Sequence, residues 1–250
     1  MRAAHDGCGC FPTGRYYPGI AHLLSRGVTA KGLAEEFAPD LPWQELAIAM
    51  IDTETTGRDS STDRVIELGV VVGQAGEIRS RRSWLIDPGC AIPADATAVH
   101  GIRDEDVRGA PRFEGVATEV IEALRGVVPA AYHAAFDRAF LLSEFGRAGK
   151  GAEPLPPFLR REVDWVDPLV WARELHRGEE QKFSLGEVST RLGVALDRAH
   201  RATDDAEAAL RVLYALGRDT RMPKTYAKLM EDQRRFGLLQ AADRRRWTRS

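Results

Sequence analysis

Residues 47–57 read Ala-Ile-Ala-Met-Ile-Asp-Thr-Glu-Thr-Thr-Gly, an apolar run that ends in two acids one residue apart. In a β-strand, side chains two positions apart share a face, so a strand over Ala47–Glu54 points Asp52 and Glu54 the same way, about 6–7 Å apart along it. Ile48, Met50 and Ile51 mark that strand as buried. Solvated acids seldom follow so apolar a run, so the strand is read as a rod that delivers two carboxylates at its end. Gly57 then permits a turn with positive φ.

Working outward, Val65–Gly73 and Ile78–Ile86 are further β-rich segments, joined through the hairpin signal Gln74-Ala75-Gly76-Glu77. A parallel crossover needs roughly a dozen residues or more, so spacing this short predicts antiparallel pairing for the first three strands. Downstream the pattern becomes α/β, with a helix over Phe113–Leu124, a buried strand over Val127–His133, a helix over Asp137–Gly146 and a loop over Gly149–Pro157. Further helices are expected at Pro168–His176, Leu185–Leu192 and Thr203–Leu216. In the last, Ala206, Ala209, Leu210, Leu213 and Leu216 form an apolar stripe at helical spacing.

Two later stretches add chemistry to the first. HAAFDRAFL (133–141) supplies Asp137, and HRATDD (200–205) supplies His200 and Asp205. Four carboxylates can bind two hard divalent cations about 3.5–4 Å apart, and a histidine with an ordinary pKa near 6.5 can take a proton from water. Asp204 is read only as an acid in the first turn of a helix, where it suits the dipole. Oxygen ligands favour Mg²⁺, with Mn²⁺ able to substitute, whereas zinc would want more nitrogen or sulfur.

These residues carry a resemblance. IDTETTG (51–57) matches the D-x-E motif of the DEDD superfamily of 3′–5′ exonucleases, and His200, Ala202 and Asp205 match the H-x-A-x-x-D motif of its histidine-bearing subgroup, which includes the proofreading subunit of bacterial replicative polymerase. The intervening N-x-x-F-D motif is matched by residues 133–137 except at its first position, where His133 replaces asparagine. Histidine there offers a different donor geometry and a titratable ring. The similarity spans about residues 46–217. It implies a ribonuclease H-like α/β fold, a mixed five-stranded sheet with its first three strands antiparallel, flanked by helices.

The resemblance also implies roles. Asp52 bridges two metal ions, Glu54 and Asp205 bind the ion that activates water, Asp137 serves the other ion, and His200 is the general base. The product is a nucleoside 5′-monophosphate. Thr53, Thr55, His100 and Phe136 are candidate substrate contacts; His100 lies in a VHGI segment (99–102) like the family's, and Phe136 is as well suited to packing. The expected substrate is a single-stranded or frayed DNA 3′ end. RNA trimming by the same superfamily is the alternative, since motifs do not distinguish the 2′-OH, and a binding or polymerase-docking module without catalysis is the reading from another class. Any proofreading role implies a separate polymerase subunit as partner.

Composition bounds the rest. With 250 residues, 44% apolar and 29% charged, the chain accommodates one full core with attachments. Residues 1–45, broken by Gly and Pro, are expected as a helical appendage with short helices at Ile20–Ser25 and Thr29–Phe37. Residues 46–217 form the expected exonuclease domain, and 218–250 a basic tail. Ten Lys or Arg stand against four Asp or Glu in that tail, which carries +6 while the remainder carries −8. A basic tail attracts phosphate, and an acidic site needs cations before phosphate approaches. Cys8, Cys10 and Cys90 form no even framework and suit a reducing compartment. No run reaches the roughly 18 apolar residues of a membrane span, so no membrane partner and a cytoplasmic location are expected.

Overall fold

The computed structural model describes residues 31–149, 155–178, 182–196 and 200–247, with the side chains of 244–247 excepted. The Ile20–Ser25 segment and the Cys8–Cys10 pair lie outside the described residues. Three strands open the domain: β1 (Ile48–Thr55), β2 (Val65–Gln74) and β3 (Glu77–Leu85). They are followed by α1 (Ala94–His100), α2 (Phe113–Ala123), the short β4 (Val128–Ala130) and α3 (Ala134–Arg147). Four helices complete the chain: α4 (Pro168–Leu175), α5 (Leu185–Leu192), α6 (Ala202–Leu216) and α7 (Tyr226–Trp247).

The sheet order is β3-β2-β1-β4, with β1–β2 and β2–β3 antiparallel and β4 parallel to β1. The alternation of β1 sorts its side chains into two cores. Ile48 and Met50 meet Ala206, Leu210 and Leu213 of α6 and Trp171 of α4 on one face. Ala49 and Ile51 meet Phe113 and Val120 of α2 and Phe140 and Leu141 of α3 on the other. Buried on both faces, β1 reads as a near-continuous apolar run until its two acids.

The expected fifth strand is reduced to a single parallel bridge between Ala130 and Val166. Val166 donates its N–H to Pro129 and its carbonyl accepts from Ala131, but Pro129 has no N–H with which to continue that ladder. Asp167-Pro168 then starts α4 at once. The sheet is therefore four-stranded among the described residues.

The helix expected over Thr29–Phe37 is not formed in its described part, 31–37, which consists of turns and open backbone. Gly32 sits there at φ +86°, where a Cβ would collide with Arg234 and Asp164. Leu33 and Phe37 nonetheless pack on the core that includes α6 and α7. The basic C-terminal stretch is also ordered: α7 buries Tyr226, Leu229 and Met230 and sets Phe236 edge-on to Trp171. Tyr226 Oη accepts the N–H of Ala34, and Trp43 Nε1 donates to the Pro223 carbonyl. None of the described helices is long and apolar enough to cross a membrane.

Candidate active site

β4 pairs only with residues 48–50 of β1, so Asp52 and Glu54 extend past its end. Because the two strands run parallel, their C-terminal ends face the same way, and α3 leaves from just beyond β4. Its N-cap is His133, at φ 71° and ψ 52°. Left-handed backbone is costly for most side chains but is several-fold enriched in Asn, Asp and His. The departure from asparagine thus keeps the conformation that the position requires. The helix starts three residues earlier than expected, which puts Asp137 in its first turn, buried.

Asp137 is fixed from β1: Thr53 Oγ1 donates to Asp137 Oδ1 at 2.8 Å. Thr53, expected as a substrate contact, is buried and holds the Asp137 carboxylate. Thr55 Oγ1 donates to the Gly57 carbonyl at 2.6 Å and so serves the turn. Phe136 is tilted against Phe140 with ring centroids 4.8 Å apart and packs on the core.

The third group arrives on α6. Asp52 pairs in register with Gly69 of β2, and a Cβ at Gly69 would come within 2.3–2.5 Å of the Ala202 and Thr203 backbone. Only a glycine lets the first turn of α6 lie this close to the sheet. Glu67, opposite Glu54 in the ladder and buried, holds the same turn. It accepts from Arg201 Nη2 at 2.9 Å, Arg201 Nε at 3.2 Å, the Ala202 N–H at 3.3 Å and Ser83 Oγ at 3.2 Å. His200, again left-handed at φ 67°, donates its N–H to Asp205 Oδ2 at 2.9 Å. Its side chain remains exposed.

Glu54, His200 and Asp205 consequently offer ligand atoms that all lie within 4.8 Å of one another. Burial, followed by the charges of Asp137, Asp205, Glu54 and Glu67, holds the Asp52 carboxyl well above its usual range. Burial, with Asp205, Glu67 and Asp137 nearby, pushes Glu54 up to about 8. Asp137 is raised by burial to about 7 despite the Thr53 hydrogen bond, and burial also raises Asp205. Crowded carboxylates deprived of water are stabilised as anions by a cation. Oxygen donors with one imidazole suit a hard divalent ion, so the residues present fit the metal dependence that the family implies.

His100 ends α1, buried, with Nδ1 accepting the Ile102 N–H at 3.0 Å. The neutral ring therefore carries its proton on Nε2, beside the Thr55 backbone. Burial lowers its pKa, and it lies within electrostatic reach of Glu67 and His200. Sequence reasoning passed over Glu67, although an acid inside VIELGVVV was a signal. It also passed over Asp167, whose carboxylate accepts from the N–H groups of His133 (3.0 Å), Ala134 (3.1 Å) and Leu169 (2.9 Å). Its sign was Asp-Pro at a helix start.

Comparison with known proteins agrees with this geometry. The exonuclease (RNase T) family profile matches residues 49–213. DNA polymerase III subunit epsilon of Treponema pallidum is 32% identical over 168 residues, covering 67% of this chain and 74% of that protein. The PolC-type DNA polymerase III of Streptococcus thermophilus is 32% identical over 180 residues, 72% of this chain but only 12% of the polymerase. Among solved structures, exonuclease X in complex with 5′ overhanging duplex DNA superposes with a TM-score of 0.56 at 23% identity, covering 73% of this chain and 98% of that one. E. coli exonuclease I with a dT13 oligonucleotide gives 0.58 at 17%, covering 71% and 42%. The structural likenesses concern the fold. The family match over residues 49–213 and the epsilon relative carry the assignment, and the chain belongs to the exonuclease family of the DEDD superfamily, the 3′–5′ exonucleases.

Proposed function

We propose that this chain removes nucleotides one at a time from the 3′ end of single-stranded or frayed DNA, releasing nucleoside 5′-monophosphates. The observation that carries the reading is the convergence of Glu54, His200 and Asp205 beside the half-buried Asp52 and the buried Asp137 at the end of β1. Asp52, Glu54, Asp137 and Asp205 would hold two divalent cations, Mg²⁺ or in its place Mn²⁺. When bound, such ions supply charge neutralisation and Lewis acidity at the scissile phosphate. The exposed imidazole of His200 takes the proton from the attacking water. Its N–H bond to Asp205 holds the backbone from which the ring projects. Thr53 orients Asp137, and Glu67 holds the turn that carries His200.

His100, buried next to the strand that carries Asp52 and Glu54, with its ring beside the Thr55 backbone, is assigned to the substrate. The relatives named as DNA polymerase III components support action beside a polymerase in proofreading or repair, and hence a cytoplasmic place of work. In this reading residues 46–217 are the catalytic domain, and the described parts of the flanking segments pack beside it.

The test is a 5′-labelled oligonucleotide incubated with Mg²⁺. It should shorten as a ladder from the 3′ end, and Asp52→Ala should lower the rate by about 10³-fold or more, since a carboxylate that would hold the cations is lost. An intact oligonucleotide across a range of metals and pH sinks the proposal. A matched RNA in parallel reads the substrate: faster loss of the RNA replaces DNA with RNA as the natural substrate.

A further inference from the structure

Gln233 lies on α7, beyond residue 213 where the family match ends. Its side chain is buried and bonded at both polar atoms: Oε1 accepts the N–H of Asp167 at 2.8 Å, and Nε2 donates to the Trp165 carbonyl at 2.8 Å. Asp167 is no ordinary cap. Oδ1 accepts from His133 and Leu169, and Oδ2 from Ala134, so one carboxylate ties the N-termini of α3 and α4 together. The His133 N–H belongs to the left-handed residue from which α3 departs, and Asp137 stands in the first turn of that helix. An unbroken set of hydrogen bonds therefore runs from Gln233 through the Asp167 backbone and carboxylate to the turn that aims Asp137 at Thr53.

From this chain of contacts we infer that Gln233 is a positioning residue for Asp137, so that α7 sets the alignment of the active site although it contributes no group to it. The inference rests on the reading of Asp137 as a working carboxylate. Two other observations fit it. The amide oxygen and nitrogen each meet a complementary buried backbone group, so no rotation of the amide serves as well. The same helix is braced beside Gln233, where Arg234 pairs with Asp164 and donates to the Lys31 carbonyl. Removing the amide leaves the buried Asp167 N–H and Trp165 carbonyl unpaired, and the loop that bears Asp167 must move to recover partners.

The test compares Gln233→Leu with Tyr226→Phe in the full chain. The second variant removes a buried hydroxyl acceptor from the same helix, one that bonds Ala34 and not Asp167. Three readings are taken: kcat and KM on a labelled DNA oligonucleotide with Mg²⁺, affinity for Mn²⁺ alone, and hydrogen exchange at the His133 and Ala134 amides. Gln233→Leu should lower kcat roughly 10-fold with KM within about twofold, weaken Mn²⁺ binding by a similar factor and speed exchange at both amides. Tyr226→Phe should leave all three near wild type. Equal effects of the two variants, or unchanged exchange at His133 and Ala134 in Gln233→Leu, overturn the inference. If Gln233→Leu does not fold, native-state exchange of the wild-type chain decides. Opening of α7 together with His133 and Ala134 supports the coupling, and opening of α7 with those amides still protected refutes it. A wild-type chain that cleaves nothing defeats the proposed function, while the exchange readings still judge the coupling.

Discussion

At the scale of single residues, the site is governed by how much negative charge it confines. Glu54 titrates at about 8 in place of 4.5, and Asp137 at about 7 in place of 3.8. A carboxyl with a raised folded pKa keeps its proton in the folded state while the unfolded chain has lost it. Stability therefore falls as pH rises from the unfolded value, near 4, toward 8. Without metal, the melting temperature should drop on the order of 5 °C between pH 5 and pH 8, and divalent cations should restore more of it at pH 8 than at pH 5. Calorimetry with EDTA, Mg²⁺ and Mn²⁺ checks this; a metal-free protein that gains stability toward pH 8 contradicts the electrostatic account. Thr53→Val keeps shape but removes the donor to Asp137, and should cost about 10-fold in kcat with little change in KM. Steady-state kinetics separate this from a substrate contact, which would raise KM. The acids themselves were legible, since their spacing follows from strand periodicity. The use of Thr53 was not, because its partner lies 84 positions away.

At the scale of elements, the site is assembled by close approach. Gly69 lets α6 settle onto β2, and Gly69→Ala forces the Ala202 backbone away from the sheet. The expected cost is about 3 kcal/mol with loss of cation affinity, read from urea unfolding and metal titration. A normal unfolding midpoint would mean that the helix shifts freely. The three opening strands and α2, α4, α5 and α6 were legible from period and turn signals. α1 was not, because seven residues give too little periodicity. β4 was expected over seven residues and forms over three; the left-handed His133 ends the extended run, and no propensity announces it.

At the scale of the molecule, the described parts of the two flanking segments pack against each other. Read by charge alone, residues 218–250 were a basic tail that attracts phosphate. Yet Tyr226, Leu229 and Met230 are buried, and Trp43 stacks on Tyr214 where residues 31–46 meet α6. Deletion after Arg218 should remove on the order of 5 kcal/mol of burial, comparable to the whole stability of a domain. Circular dichroism should then show an unfolded or aggregating chain; a cooperative melt near that of wild type would contradict this. Apolar positions such as Leu229, Met230 and Phe236 were present in the sequence, but their stripe is diluted by basic residues, which masked the helix's inner face.

The bridge between Pro42 and Thr225 and the contact of Arg234 with Lys31 bring the incoming and outgoing strands of the polypeptide to one side of the fold. Domains whose ends meet in this way can be spliced into a host chain without prying it apart. The PolC-type relatives, in which the matching region is 12% of the length, carry such a module within a far longer polypeptide. For a protein engineer, the same closure means that grafting this domain requires keeping residues 31–45 and 225–234 together.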